Sequence, residues 1–396
     1  MGLNDTPAGN RIQIGFFGRR NAGKSSLVNA VTGQQLSVVS EYKGTTTDPV
    51  YKAMELLPLG PVMIIDTPGM DDEGELGELR IEKTKQVLRK IDIAILVVDG
   101  NVGLMPIEEE FAAMLKERQI PYIIVYNKAD TVDEKDMQEE QSTWVSAVTK
   151  QGITELKEKI AHLVKVEDSR FRIVGDLLHP LDFVILVIPI DSAAPKGRLI
   201  LPQQQVIRDI LEAGAIPVVT RDTELQQTLN RLGAKPYMVI TDSQAFKKVA
   251  ACTPDDIYLT SFSILMARWK GFLSTAVQGV DALSQIKDGD KILIAEGCTH
   301  HRQCEDIGTV KLPQWIRSYT GREPEFVFCS GTEFPEDLHT FKLVVHCGGC
   351  MLNEKEMRYR MQSAVAQQIP FTNYGILIAH MNGILARSIE VIPVLS

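Results

Sequence analysis

The stretch "GRRNAGKS", Gly18 to Ser25, matches G-x-x-x-x-G-K-[ST] and stands between the apolar run "IQIGFF" and the helix-like "SLVNAVTG". That order commits the surrounding chain to a strand–loop–helix unit. Such a loop holds phosphate only if its backbone N–H groups curl around the anion and a helix N-terminus follows. Across residues 1–168 the pattern repeats, with "VMIIDTPG", "IAILVVDG" and "PYIIVYNKAD" each reading as a buried strand running into a loop. Buried strands alternating with helices predict an α/β fold: a P-loop domain with a parallel sheet covered on both faces.

A phosphate loop alone takes ATP or GTP, and further stretches decide between them. Gly18 and Gly23 give the loop its curl, Lys24 reaches the β- and γ-phosphates, and the Ser25 hydroxyl is a Mg²⁺ ligand with Ser26 beside it. "DTPG" places Asp66 to hold Mg²⁺ through water and the Gly69 N–H to sense the γ-phosphate. "NKAD", Asn127, Lys128 and Asp130 among its residues, reads guanine, because a carboxylate at Asp130 accepts from N1–H and the N2 amino group. Adenine offers no such amino group, and leaving the charge unpaired costs about 2–5 kcal/mol. "SAV", from Ser146 through Ala147, resembles the loop whose N–H groups contact guanine O6. "GTTTDP" resembles a switch I segment, with Thr46 the expected Mg²⁺ ligand and Thr45 its near rival. The expected ligands are GTP or GDP with Mg²⁺, and Lys24, Thr46, Asp66 and Gly69 form the catalytic set.

Met70 follows "DTPG", where Ras-like proteins carry a water-orienting Gln. A thioether cannot orient water, so slow hydrolysis is expected. Asn21 resembles the arrangement in TrmE-like and Era-like GTPases, some of which recruit K⁺ there to stabilise developing charge. The expectation is a K⁺-stimulated GTPase acting as a switch.

Residues 176–268 continue the β/α alternation without a motif tied to chemistry, and 271–396 carry five of the six cysteines. A net charge of −9 and 6% aromatic residues argue against a broad nucleic-acid surface. The longest apolar runs, "IAILVV" and "FVILVI", fall far short of the ~20 residues that span a bilayer. "MGLNDTPAGNR" has no hydrophobic signal region, so a cytoplasmic protein that avoids membranes is expected. In that compartment cysteines read as metal ligands or buried thiols.

Two stretches gather them: "AEGCTHHRQCEDIG", with Cys298, His300, His301, Cys304 and Glu305, and "VVHCGGCML", with His346, Cys347 and Cys350. Each follows an apolar run that reads as a strand, "KILIA" and "KLVV", and "EFVFCSG" and "YGILIAH" also read as strands. Loops at the carboxyl ends of parallel strands converge on one edge, where distant cysteines can meet. The spacing admits a redox dithiol, inert core thiols, a structural zinc held by three Cys and one His, or an iron–sulfur cluster. It does not separate zinc from iron. Cys252, Cys304 and Cys329 read as structural thiols.

Cys298-x-His300 followed by His346-Cys347-x-x-Cys350, downstream of a TrmE-like GTPase domain, resembles the [FeFe]-hydrogenase maturation GTPase family (HydF) over the whole chain. The resemblance implies a GTP-binding domain over 1–168, a dimerisation domain over 176–268 and an iron–sulfur domain over 271–396. It further implies a homodimeric scaffold that holds a [4Fe–4S] cluster and a diiron precursor bearing CO and CN⁻ as cargo. On the same resemblance, two radical-SAM maturases would build that precursor and apo-[FeFe]-hydrogenase would receive it. Cys298, Cys347 and Cys350 would bind the cluster, leaving a labile corner for which His300, His346 and Glu305 are the candidates. The competing expectation is an RNA- or ribosome-directed GTPase with a structural zinc domain, which shares the nucleotide motifs.

Overall fold

The computed structural model describes residues 8–33, 49–57, 59–70, 84, 86–132, 141–163, 172–190, 199–297, 307–331 and 333–393. Thr45, Thr46, Cys298, His300, His301, Cys304 and Glu305 lie outside the described residues. The chain divides into two compact units, residues 1–168 and 169–396.

The first unit holds β1 (Ile12–Phe17), β2 (Val50–Leu56), β3 (Gly60–Asp66), β4 (Ile93–Asp99), β5 (Tyr122–Asn127) and β6 (Ser142–Trp144). They form one sheet in the order β2-β3-β1-β4-β5-β6. All neighbours run parallel except β2, which pairs antiparallel with β3 at the edge. The continuous apolar run of β4 makes sense in this place. Ile93, Ile95 and Val97 pack into the core on one face, while Ala94, Leu96 and Val98 pack into the core on the other. Side chains alternate at a period of two, so a strand buried on both faces has no polar face to show. The helix Ile153–Leu163 contributes Leu156 and Ile160 to the first core, and Pro106–Glu117 contributes Phe111 and Leu115 to the second.

The second unit contains two four-stranded sheets. One is ordered β10-β9-β7-β8, from β7 (Phe183–Val187), β8 (Ile216–Thr220), β9 (Met238–Thr241) and β10 (Tyr258–Ser261). The other is ordered β12-β11-β13-β14, from β11 (Lys291–Glu296), β12 (Glu325–Ser330), β13 (Phe341–His346) and β14 (Phe371–Asn373). Every pairing in both is parallel. One core joins them: Ile185, Val187 and Leu259 from the first sheet share it with Ile292, Ile294 and Val344 from the second. The helix Leu273–Gly279 approaches β14 closely, since a Cβ at Gly279 would stand 2.1 Å from the Phe371 carbonyl oxygen.

One element departs from the sequence reading. "YGILIAH" is the buried helix Tyr374–Met381, not a strand, and the Asn373 side chain caps it by accepting the Ile376 N–H at 2.8 Å. A short apolar run fits a buried helix or a buried strand equally, and the cap decides. Among the described residues, no helix is long and apolar enough to cross a membrane.

Candidate functional site

Parallel strands put the loops after β1, β3 and β5 on one edge of the first sheet, and the nucleotide motifs are these loops. Gly18 leaves β1 at a φ of 143°, where an added Cβ would stand 2.1 Å from the Val97 carbonyl oxygen. Gly23 has a φ of 87°, and a Cβ there would stand 2.2 Å from Asn127 Nδ2. Only glycine meets both demands, of backbone and of space. Asn21 sits at a φ of 61°, a left-handed conformation that asparagine tolerates better than most residues. The helix Lys24–Thr32 starts at the loop's end, with Ser25 and Ser26 in its first turn.

The polar groups of this edge hold one another. Lys24 Nζ donates to the carbonyls of Gly18 at 2.9 Å and Arg19 at 2.8 Å, which keeps the ammonium folded over the loop. Ser25 Oγ donates to Asp66 Oδ2 at 2.7 Å. Asp66 Oδ1 is buried and has no hydrogen-bond partner among the described residues. An orphaned carboxylate oxygen beside a serine hydroxyl fits the water shell of Mg²⁺. Thr67 Oγ1 donates to the Phe16 carbonyl at 2.6 Å, anchoring the "DTPG" turn that contains Gly69. Met70 returns to the phosphate loop through its N–H, which donates to the Gly18 carbonyl at 3.3 Å, while its side chain packs on the apolar core.

Asn127 is the joint between the phosphate and base regions. It is buried, its Nδ2 donates to the Ala22 carbonyl at 3.0 Å, and its Oδ1 accepts the Ala147 N–H at 3.1 Å. Lys128 pairs with Asp99 at 2.5 Å, and the Asp130 carboxylate stands exposed. Ser146 Oγ accepts the Thr149 N–H at 3.0 Å and shapes the loop that carries Ala147. Sequence reasoning missed one support: Arg19 of the phosphate loop pairs with the fully buried Glu108 at 3.1 Å. The two lie in separate elements, and no motif connects them.

In the second unit the loop after β13 carries the cysteines. The Cys347 N–H donates to the Ala295 carbonyl at 2.9 Å, which ties the start of the loop to β11. The Cys347 sulfur accepts N–H groups from Gly297 at 3.1 Å and Gly349 at 3.4 Å. Gly349 is left-handed, with a φ of 62°, and a Cβ there would stand 2.5 Å from Met357 Sδ. Burial pushes the Cys347 thiol up to about 11, against the pull of the two N–H groups. Cys350 is also raised by burial, opposed by the charge of Lys270. Cys329, on β12, is pushed up to about 11 by burial and packs against the shared core, and Cys252 packs against the same core.

His346 is fully buried between two partners. Its Nδ1 lies 2.8 Å from the Cys347 carbonyl, and its Nε2 lies 3.1 Å from Arg360 Nη1. The arginine cannot accept, so Nδ1–H donates to the carbonyl and Nε2 accepts from the guanidinium. Burial, reinforced by Arg360, drives the imidazole down to about 3 and keeps it neutral. Both nitrogens are committed, so His346 would bind metal only by giving one bond up. Arg360, itself fully buried, also donates to Glu356 at 2.8 Å and to the Gly331 carbonyl at 2.7 Å. Among the described residues, no group of three or more His, Cys, Asp or Glu side chains gathers as a metal site. Cys347 and Cys350 supply two sulfurs, and Gly297, whose N–H meets the Cys347 sulfur, is the residue bonded to Cys298. Sequence reasoning missed Lys270 and Arg360 here: a basic residue at the end of an apolar helix, and one among several charged residues inside the polar helix Glu354–Ala366, both read as solvated.

Comparison with known proteins assigns each segment. Residues 13–128 match the family described as 50S ribosome-binding GTPase. Residues 173–271 match the hydrogen maturase F dimerization domain, and 274–391 match the hydrogen maturase F tetramerization domain. GTPase Der of Sulfurihydrogenibium sp. (strain YO3AOP1) is 32% identical over 170 residues, covering 38% of this chain and 38% of that protein. The tRNA modification GTPase MnmE of Legionella pneumophila (strain Paris) is 37% identical over 175 residues, 42% of this chain and 38% of that protein. The chain thus spans under two fifths of the length of these curated relatives. An Aquifex aeolicus Era variant bound to GDP.AlF4⁻ is 20% identical, covering 53% of this chain and 92% of that one at a TM-score of 0.36. With a P-loop GTPase domain followed by both hydrogen maturase F domains, the chain belongs to the HydF family of hydrogenase maturation GTPases.

Proposed function

We propose that this chain is a GTP-controlled scaffold and carrier that holds a [4Fe–4S] cluster on Cys298, Cys347 and Cys350 and delivers a diiron precursor to apo-[FeFe]-hydrogenase. One observation carries the reading: the N–H of Gly297, the residue before Cys298, donates to the Cys347 sulfur at 3.1 Å. Consecutive Cα atoms are only ~3.8 Å apart, so this bond supports reading Cys298 and Cys347 as parts of one site. The donor set fits an iron–sulfur group, since two sulfurs lie on one turn and backbone N–H groups already point at one of them.

Cys298, Cys347 and Cys350 would hold the cluster, which would supply iron with a labile position for an exchangeable ligand or for cargo bearing CO and CN⁻. The chain does the rest. Burial keeps the free thiols protonated, so loading releases their protons, and the N–H groups then stabilise the thiolates. His300 and Glu305 remain the candidates for the fourth site, and His346 instead braces the loop against Arg360. The segment 271–396, which the family description names for tetramerization, is on this reading also the cluster domain. Segment 176–268 makes the homodimer, and two radical-SAM maturases supply the cargo.

At the nucleotide edge, Ser25, Thr46 and Asp66 hold Mg²⁺, Lys24 and Gly69 read the γ-phosphate, and Asp130 reads guanine. Met70 orients no water, so turnover is slow, and K⁺ at Asn21 raises it by stabilising charge on the phosphates. GTP acts as a switch by binding two states of the protein with different affinity. Metal analysis after anaerobic purification tests the central claim: iron with sulfide supports it, and stoichiometric zinc returns the RNA-directed reading. Equal turnover in Na⁺ and K⁺ buffers removes the ion at Asn21. Equal cargo release from the GTP, GDP and nucleotide-free forms removes the switch.

A further inference from the structure

Lys270 ends a helix of the second unit, Phe262–Trp269, within the segment matched to the dimerization domain. It is only 2% exposed. Lysine at that depth is rare, because stripping water from an ammonium is costly unless an anion or several acceptors replace it. Its Nζ donates to the carbonyl of Leu352, the residue two beyond Cys350, and lies 5.2 Å from the centre of the Trp269 ring. Among the described residues no carboxylate forms an ion pair with it. Burial pulls it down to about 8, and charge on Cys350, then Cys347, then Glu354 pulls the other way.

The same helix walls the loop on a second side. A Cβ built at Gly348 would stand 3.7 Å from Ser263 Oγ and 4.0 Å from Met266 Cβ. Cys350 packs in the core formed by Phe262, Leu265 and Met266. The loop between the two sulfurs is therefore seated on 262–270 as well as on its own sheet.

We infer that Lys270 is a positioning residue for the metal site, a buried cation that clamps the Cys347–Leu352 turn and balances the negative charge of a thiolate-bound cluster. The inference rests on the cluster reading above. It adds that the site is built from both hydrogen maturase F segments, with the cation coming from the one that has no cysteine ligand. A thiolate-ligated cluster is anionic and becomes more so on reduction, so a nearby fixed cation favours the reduced form. Removing it makes reduction harder.

The test uses the full chain, reconstituted anaerobically with iron and sulfide, as wild type and as Lys270→Met, Lys270→Gln and Lys270→Arg. Reduction midpoint, iron loss to a chelator and the thermal unfolding of each protein are measured. The expected result is a more negative midpoint and about 10–100-fold faster iron loss in the Met and Gln proteins. Arginine restores the wild-type midpoint. A wild-type midpoint in either folded neutral variant overturns the proposal, and so does unfolding shared by all three variants, which makes Lys270 a packing residue. Should the wild type itself take up no iron and sulfide, the cluster reading fails first, and that failure is visible before any variant is compared.

Discussion

The nucleotide edge of the first unit and the cysteine edge of the second use the same architecture to opposite ends. Both lie where parallel strands run out into loops, and both depend on glycines that bring backbone close. At the nucleotide edge the polar groups already satisfy one another: Lys24 with two loop carbonyls, Ser25 with Asp66, Asn127 with Ala22 and Ala147. Most of the groups a phosphate would meet are therefore in place before it arrives. At the cysteine edge the thiols sit in an unfavourable state for ionisation, with Cys347 pushed up to about 11 by burial. The lesson is that hydrogen bonds among side chains and loop carbonyls organise one edge, while burial sets the protonation state of the thiols at the other.

The strongest way to break this contrast is to remove the sulfurs. Replacing Cys347 and Cys350 together with serine is expected to abolish iron and sulfide uptake and to leave guanine nucleotide affinity unchanged, by iron analysis and nucleotide titration on one preparation. The next effect belongs to Asp130. Asp130→Asn offers guanine an amide where it needs a double acceptor, so GTP affinity should fall by about 2–5 kcal/mol, with binding recovered by a xanthine nucleotide. Isothermal titration with both nucleotides reads the exchange, and unchanged preference for GTP would break the assignment.

Acid provides the third. His346 falls from its ordinary 6.5 to about 3 in the fold, so the folded chain keeps it neutral while the unfolded chain protonates it. The unfolded state then binds more protons between these values, and stability contributed by the second unit is lost as pH falls below 6.5 toward about 3. The metal-free protein should lose on the order of 2–4 kcal/mol over that window, measured by denaturant unfolding. His346→Gln should flatten the slope. The smallest effect sharpens the comparison. Asn127→Ala cuts the ties to Ala22 and Ala147 and should weaken GTP by about 1–3 kcal/mol while leaving midpoint and iron content alone.

Much of the first unit was legible because its chemistry is written in consecutive residues. The phosphate loop, "DTPG" and "NKAD" each carry backbone conformation and side chain together, and Gly18 and Gly23 adopt the left-handed geometry their motif requires. β4 was legible for a different reason: six apolar residues in a row suit a strand buried on both faces. The same reasoning failed for "YGILIAH", where an equally apolar run forms a helix started by Asn373. It also failed for Glu108, Lys270 and Arg360, each of which has a deciding partner in another element: Arg19, Leu352 and His346.

What the sequence determined by itself was the inventory: which groups can cradle phosphate, read guanine or donate sulfur, and the strand-and-helix order that carries them. Those properties follow from neighbours a few residues apart, through backbone geometry and side-chain periodicity. Only the tertiary structure decided which polar groups lose their water and what replaces it. It seated Lys270 under the cysteine turn, gave both nitrogens of His346 to other partners, and buried one oxygen of Asp66 without a partner among the described residues. Burial is set by packing among residues distant in the chain, and so is the electrostatic character of both sites.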